Sequence, residues 1–308
     1  MRKWLYMLPV AMILFACGNE EEVVEEEPLV LESASDRLGY VLGALNAQSI
    51  MSSGTRSAEL NKEKLIEGFN MNLNNKDCSE CDEILIKFLG PYYQDFDTTY
   101  LDKGSECIGR QSGNGFYRDM NRMGGLKNVN LEMVKAGFKH GIYKTDTLIE
   151  EGERRQMVGD FIMGLNVIAG DKMLEKAAKI PGVQVFDNGV ILATLEEGKG
   201  GSPTAMDDVQ VEYILTNAFG DTIQSSFVLK QMQNLTEPLS FNLTGVYPGW
   251  TFALPKMKKG GKYRLYLPWQ LGQGEQGGKE SLCFYIELLN FGPAGSYVKP
   301  ELPMGSPQ

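Results

Sequence analysis

The chain has 308 residues, 43% of them apolar and 23% charged, with 40 acidic against 30 basic side chains and a net charge of −10. That length accommodates two domains, each with its own core. The acidic balance argues against nucleic acid as a partner, and a single histidine leaves too few ligands for a zinc site beside the five cysteines, so no metal is expected.

Met1-Arg2-Lys3 is a basic start, residues 4–15 form an apolar run too short to span a bilayer, and Leu14-Phe15-Ala16-Cys17 closes it. The pattern resembles a bacterial lipoprotein signal with its lipobox. That resemblance implies cleavage after residue 16, a lipid on Cys17 and a lipid-anchored place in the cell envelope, at the outer membrane and facing the periplasm or the surface. Loss of Arg2 and Lys3 leaves 28 basic against 40 acidic residues, moving the net charge from −10 to −12. Residues 17–33 are acidic and without periodicity, the signature of a solvated tether.

Residues 34–144 read as helical. Leu38, Val41, Leu42 and Leu45 make an apolar stripe, Gly39 and Gly43 lie one turn apart on one face, and Asn61 caps a second helix through Leu65, Ile66 and Phe69. Glycine weakens a helix, so the pair points to close approach by another helix. The arrangement recurs. Gly109, Gly113 and Gly124 repeat the spacing of Gly39, Gly43 and Gly54, and Asn130, Val134, Gly137 and Phe138 echo Asn61, Leu65, Gly68 and Phe69 with a one-residue slip. Two copies of one helical hairpin are therefore expected, near residues 34–99 and 104–148. Between them, Phe88, Tyr92, Tyr93, Phe96 and Tyr100 suit a helix with an aromatic face in the core. Cys78 and Cys81 form a CxxC among acidic neighbours, which disfavours a stabilised thiolate. In an oxidising compartment a structural disulfide joining Cys107 to Cys78 or Cys81 is the expected use, with Cys283 a buried thiol in a strand.

Residues 145–180 carry the pattern of one long connecting helix, roughly 50 Å if continuous, ended by Pro181-Gly182. A sheet domain follows over residues 181–291. Val183-Gln184-Val185-Phe186 and residues 190–195 are strands about an Asp187-Asn188-Gly189 turn, and residues 209–215 and 282–289 alternate as strands. Residues 292–308 are rich in Pro and Gly and read as a flexible tail.

Residues 238–268 organise this domain. A strand through Leu239, Phe241 and Leu243 runs into Thr244-Gly245, a short helix carries Val246, Trp250, Ala253, Leu254 and Met257, and a strand over residues 263–267 returns. The phrase Gly245-Val246-Tyr247-Pro248-Gly249-Trp250 resembles the FKBP-type peptidyl-prolyl isomerases, in particular the macrophage-infectivity-potentiator branch. The resemblance covers residues 182–291 well and parts of 34–180 more loosely. It implies an α+β fold: a helical N-terminal domain of two related units, a long connecting helix, then a curved antiparallel sheet wrapped over one short helix. In that family one helical unit per chain intertwines with its copy on a second chain. Two copies in one chain imply either a monomer with an internal pseudo-dimer or a homodimer.

By the same resemblance, Trp250 is a pocket floor, Tyr213, Phe241 and Phe284 are walls, Val246 and Tyr247 form the rim, and the Tyr247 N–H meets a ligand carbonyl. Prolyl-bond rotation faces a barrier of about 18–20 kcal/mol from amide resonance. It makes and breaks no covalent bond, so an apolar cage with a few aimed donors suffices and no cofactor is expected. Departures are as informative. Gln224 stands where the family has an aspartate, Gln273 where it has a pocket phenol, and Leu239 where it has an aromatic wall. The expectation is an envelope isomerase that assists folding of exported proteins, acting on proline-containing or unfolded polypeptides, with activity weak or absent. The alternative is a non-catalytic FKBP-like chaperone or peptide-binding lipoprotein.

Overall fold

A computed structural model of the chain describes residues 29–53, 56–90 and 97–297. The lipobox with Cys17, Gly54, Tyr92, Tyr93, Phe96 and the last part of the tail lie outside the described residues. Among the described residues no helix is long and apolar enough to cross a membrane.

The N-terminal half is helical. Helix α1 (Ala34–Ser52) starts from a capping box in which Ser33 and Asp36 exchange side-chain and backbone hydrogen bonds. Leu29 and Leu31, assigned above to the tether, already pack against its Tyr40 and Val41. Then come α2 (Lys62–Met71), α3 (Glu80–Leu89), α4 (Leu101–Met123), α5 (Leu131–Tyr143) and α6 (Glu151–Ala178). Asn61 and Asn130 cap α2 and α5, as their places in the repeat require.

The two hairpins are intertwined rather than side by side. α1 lies on α5, and α2 lies on α4. A Cβ on Gly43 would stand 2.0 Å from the Val134 carbonyl oxygen, and one on Gly109 would stand 2.1 Å from that of Leu65. In the reciprocal direction, Gly137 meets Tyr40 at 2.0 Å and Gly68 meets Glu106 at 2.1 Å. Asn61 Nδ2 donates to Asp102 at 2.8 Å, and Asn130 Nδ2 donates to Asp36 at 2.7 Å. Phe69 and Phe138, equivalent residues, stack with centroids 3.7 Å apart where the copies cross.

These pairs set the register. Gly43 matches Gly109, because each faces the equivalent partner residue, Val134 and Leu65, and the same shift carries Ala47 onto Gly113. The glycine-to-glycine match read from the sequence, Gly39 to Gly109 and Gly43 to Gly113, is displaced by one helical turn. A small residue every fourth position superposes on itself after one turn, so spacing alone admits either alignment. The second helices match as expected, Leu65 with Val134 and Phe69 with Phe138.

Between the copies, α3 buries Phe88 against Gly104. Cys81 in its first turn is disulfide-bonded to Cys107 of α4, with Cα atoms 5.2 Å apart, and Cys78 is a buried free thiol. The connecting helix begins later than expected. Lys144 takes a left-handed conformation that closes α5, and Ile149 enters the core. The Arg154 guanidinium donates to the Ile149 carbonyl at 2.6 Å and pairs with Asp146. Residues 144–150 are thus pinned as a loop, and α6 runs for 28 residues, about 42 Å.

The C-terminal half is one antiparallel seven-stranded sheet. Its strands are β1 (Gln184–Val185), β2 (Ile191–Glu196), β3 (Asp208–Asn217), β4 (Thr222–Ser225), β5 (Leu239–Asn242), β6 (Lys262–Leu267) and β7 (Leu282–Gly292). The order is β1-β2-β6-β7-β3-β4, with β5 on the same edge of β3 as β4. Helix α7 (Ser226–Gln233), which the sequence pattern did not reveal, fills the gap between β4 and β5, and α8 (Pro248–Ala253) lies in the sheet's concavity. Alternation puts Tyr213, Leu215, Leu265, Leu267, Phe284 and Ile286 in the core under α8. The C-terminal half of α6 covers the opposite face, with Ala177 and Met173 on Ile191, Tyr266 and the half-buried Cys283. The first residues of the tail are tied down, since the Gly295 N–H donates to Asp208 at 2.7 Å.

Candidate active site

Gly249 lets α8 enter the concavity: a Cβ there would stand 2.4 Å from Leu267 Cδ2. Pro248 suits the helix's first turn, where an N–H is not needed. Trp250 therefore descends into the sheet with no exposed surface. Three rings meet it edge to face: Tyr213 at 5.7 Å, Phe241 at 5.7 Å and Phe284 at 5.2 Å between centroids. Tyr247 tilts against Phe284 at 6.1 Å, and Val246 and Tyr247 keep under a tenth of their surface exposed. All seven residues singled out from the sequence come together here, Gln224 joining through its amide.

Their polar atoms are arranged as follows. The Tyr213 hydroxyl and Gln224 Oε1 lie 2.6 Å apart, the phenol donating. Burial, with a smaller contribution from the Tyr247 phenol, raises the Tyr213 pKa far above that of an ordinary tyrosine, so the group stays a donor. That bond orients Gln224 with its Nε2 donors turned away from Tyr213. Gln273 Nε2 donates to the Tyr247 hydroxyl at 3.1 Å. Among the described residues the Tyr247 backbone N–H has no protein acceptor. The Trp250 indole N–H is likewise buried without one. A buried donor without a partner costs about 1–3 kcal/mol, so a core selected for stability alone would not keep this one.

The site therefore offers aromatic walls and neutral donors, and among the described residues the Tyr213 and Tyr247 hydroxyls bond to amides rather than to carboxylates. Leu239, fully buried, completes the cage on the β5 side. The hollow that the sequence reading requires above the indole is closed by the rim: Phe241, Val246 and Tyr247 carry the residual exposure, and Tyr247 is held by Gln273. Access to the indole therefore requires the rim to move, and Tyr247 is the rim residue held by a side-chain hydrogen bond. A cleft of about 400 Å³ lined by Arg264, Tyr266, Cys283 and Tyr285 opens on the other side of the sheet, away from these rings.

A support that the sequence did not disclose lies behind Tyr213. Ser226 Oγ accepts from the Tyr213 N–H at 2.8 Å and donates to Glu212 at 2.5 Å, and Glu212 pairs with Lys230. Both Ser226 and Lys230 sit on α7. The one signal was a glutamate in the middle of an apolar alternating strand.

The family model for FKBP-type peptidyl-prolyl cis-trans isomerases matches residues 200–289. The chain is 38% identical over 142 residues to the FKBP-type peptidyl-prolyl cis-trans isomerase FkpA of Escherichia coli K12, a match covering 44% of this chain and 50% of FkpA. It thus spans about half the length of that relative. It is 26% identical over 213 residues to the outer membrane protein MIP of Legionella longbeachae, covering 63% of this chain and 86% of that one. With the peptidyl-prolyl cis-trans isomerase Mip of Coxiella burnetii the identity is 36% over 212 residues, covering 62% of this chain and 87% of the relative. This last relative is covered over nearly nine-tenths of its length, and the chain belongs to the FKBP-type peptidyl-prolyl cis-trans isomerase family.

Proposed function

We propose that the chain is a prolyl isomerase of the cell envelope that acts on proline-containing segments of exported polypeptides. The observation that carries this reading is the Trp250 cage with its free Tyr247 N–H. When the Tyr247 side chain swings out, a proline ring stacks over the indole between Phe241 and Phe284. The Tyr247 amide then receives the carbonyl of the bound segment. In the twisted amide the carbonyl has lost resonance charge and needs less hydration, so a dry aromatic wall favours it over the planar form. The Tyr213 phenol, locked by Gln224 and backed by Ser226, holds the wall in place. No step requires a nucleophile.

The envelope location rests on the basic start, the apolar run and Cys17, through which the lipid anchor would be made. The Cys81–Cys107 disulfide suits an oxidising compartment. The name of the Legionella relative points the same way.

A proline-limited refolding assay on the signal-less chain tests the reading. Acceleration at micromolar protein is expected, and Trp250→Ala should lower kcat/KM by about 100-fold, equivalent to about 2.7 kcal/mol of transition-state binding. No acceleration by a chain shown to be folded would remove it.

The closed rim and the neutral Gln224 favour a second reading, an FKBP-like chaperone without catalysis. It requires that aggregation of an unfolded client be suppressed as well by Trp250→Ala as by the native chain.

A further inference from the structure

Helix α6 docks on the sheet through one face. Asn166 Nδ2 donates to the Gly278 carbonyl at 2.9 Å, Gly170 abuts Ser281, and Ala177 is buried on Ile191 and Tyr266. The neighbouring face presents Ile168, Lys172 and Lys176 at four-residue spacing, with Ile180 two residues past the last helical residue, Ala178. Together they form one wall of a cleft of about 410 Å³ whose other wall is the end of α4 and the β3–β4 turn. Arg122 on that wall pairs with Asp221 and lies over the Phe219 ring at 5.8 Å.

The cleft combines two features that stand out in this molecule. It contains three cations and no carboxylate among its lining residues, on a chain of net charge −10. Arg122 is neutralised by Asp221, whereas Lys172 and Lys176 have no carboxylate partner among the described residues; the nearby Glu175 is engaged by Lys179. Like charges four apart on a helix repel mildly. In addition, Ile168 and Ile180 at the two ends of this wall are 49% and 41% exposed. Apolar ends flanking unpaired cations make a docking strip.

Its spacing selects the occupant. Residues four apart on a helix advance about 6 Å, and residues two apart on an extended chain advance about 6.6 Å. A segment with apolar, acidic and acidic side chains at alternate positions would therefore match Ile168, Lys172 and Lys176 place for place, with a following apolar side chain directed towards Ile180 at the end of the cleft. We propose that this cleft binds an extended acidic segment of an unfolded polypeptide, with two carboxylates on Lys172 and Lys176 and apolar side chains on Ile168 and Ile180. The site is separate from the Trp250 cage and requires no proline.

The probe is a fluorescein-labelled heptapeptide, Leu-Ser-Glu-Ser-Glu-Ser-Leu, followed by anisotropy with the full mature chain. The Lys172→Glu/Lys176→Glu double variant should weaken binding at least tenfold. It should also bind a Leu-Ser-Lys-Ser-Lys-Ser-Leu peptide more tightly than the native chain does. Trp250→Ala should leave the heptapeptide affinity unchanged, which separates this site from the isomerase reading. Equal affinity in native and charge-reversed chains overturns the proposal, and so does loss of binding on Trp250→Ala. Co-sedimentation with phosphatidylglycerol vesicles that depends on the two lysines, without peptide binding, overturns it in favour of a lipid surface.

Discussion

Trp250 sits under a cover made by the protein itself, and Tyr247 is the part of that cover with a polar anchor. The anchor is one neutral hydrogen bond, from Gln273, of a kind with a net worth of about 0.5–1.5 kcal/mol. Opening the cage costs at least that bond, and on the proposed function every productive encounter would include the cost. Tyr247→Ile removes the phenol but keeps the backbone N–H to which the proposed function assigns the ligand carbonyl. It should raise kcat/KM about three- to tenfold, read in the same refolding assay, and a fall would show that the phenol assists the substrate rather than obstructing it. The pocket residues were legible one by one through the family resemblance carried by Gly245-Val246-Tyr247-Pro248-Gly249-Trp250 and the strands around it. Their closure was not, because it depends on a side chain from residue 247 meeting one from residue 273 across the mouth.

At the scale of elements, the intertwined hairpins depend on glycines that admit a neighbouring backbone. Gly109 is the sharpest test, since an added Cβ would stand 2.1 Å from the Leu65 carbonyl oxygen and 2.8 Å from the Phe69 nitrogen. Neither atom is the end of a flexible side chain. Gly109→Ala should therefore destabilise the helical half by about 1–3 kcal/mol from overpacking, despite the better helix propensity of alanine. A urea midpoint followed by far-ultraviolet circular dichroism measures it. An unchanged midpoint would mean that α2 and α4 separate more easily than their contacts imply. Gly115, with nothing within 4 Å of an added Cβ, is the control, where the same change should stabilise.

For the molecule as a whole, the swapped pairing of α1 with α5 and α2 with α4 consumes within one chain the surfaces that an intertwined dimer would share between two. Equivalent aromatic residues, Phe69 and Phe138, stack at the crossing, so among the described residues each copy covers the other's crossing surface there. We infer that the signal-less chain is a monomer, with one FKBP-type domain carried by one complete helical pair. Light scattering at tens of micromolar should return the mass of a single chain, and a stable dimer would place the pairing between chains instead. The Arg122–Asp221 ion pair joins the end of α4 to the sheet domain. It holds the Asp221 carboxyl below the usual aspartate range, so its contribution is present at neutral pH and is lost as pH falls through that lowered value.

The amino-acid sequence by itself determined the division into a helical half and a sheet half, the caps at Asn61 and Asn130, the strands about the Asp187-Asn188-Gly189 turn and the placing of Trp250. Each is written in short-range periodicity, in a capping residue or in a turn that a few neighbouring residues specify. Only the tertiary structure decided that the repeat aligns one turn away from its glycine spacing, that Cys81 rather than Cys78 meets Cys107, that Arg154 holds residues 144–150 out of the long helix, and that α7 braces Tyr213. These depend on which atoms meet across tens of residues of chain, and a local pattern of period two or 3.6 is unchanged by a shift that rearranges every one of those meetings.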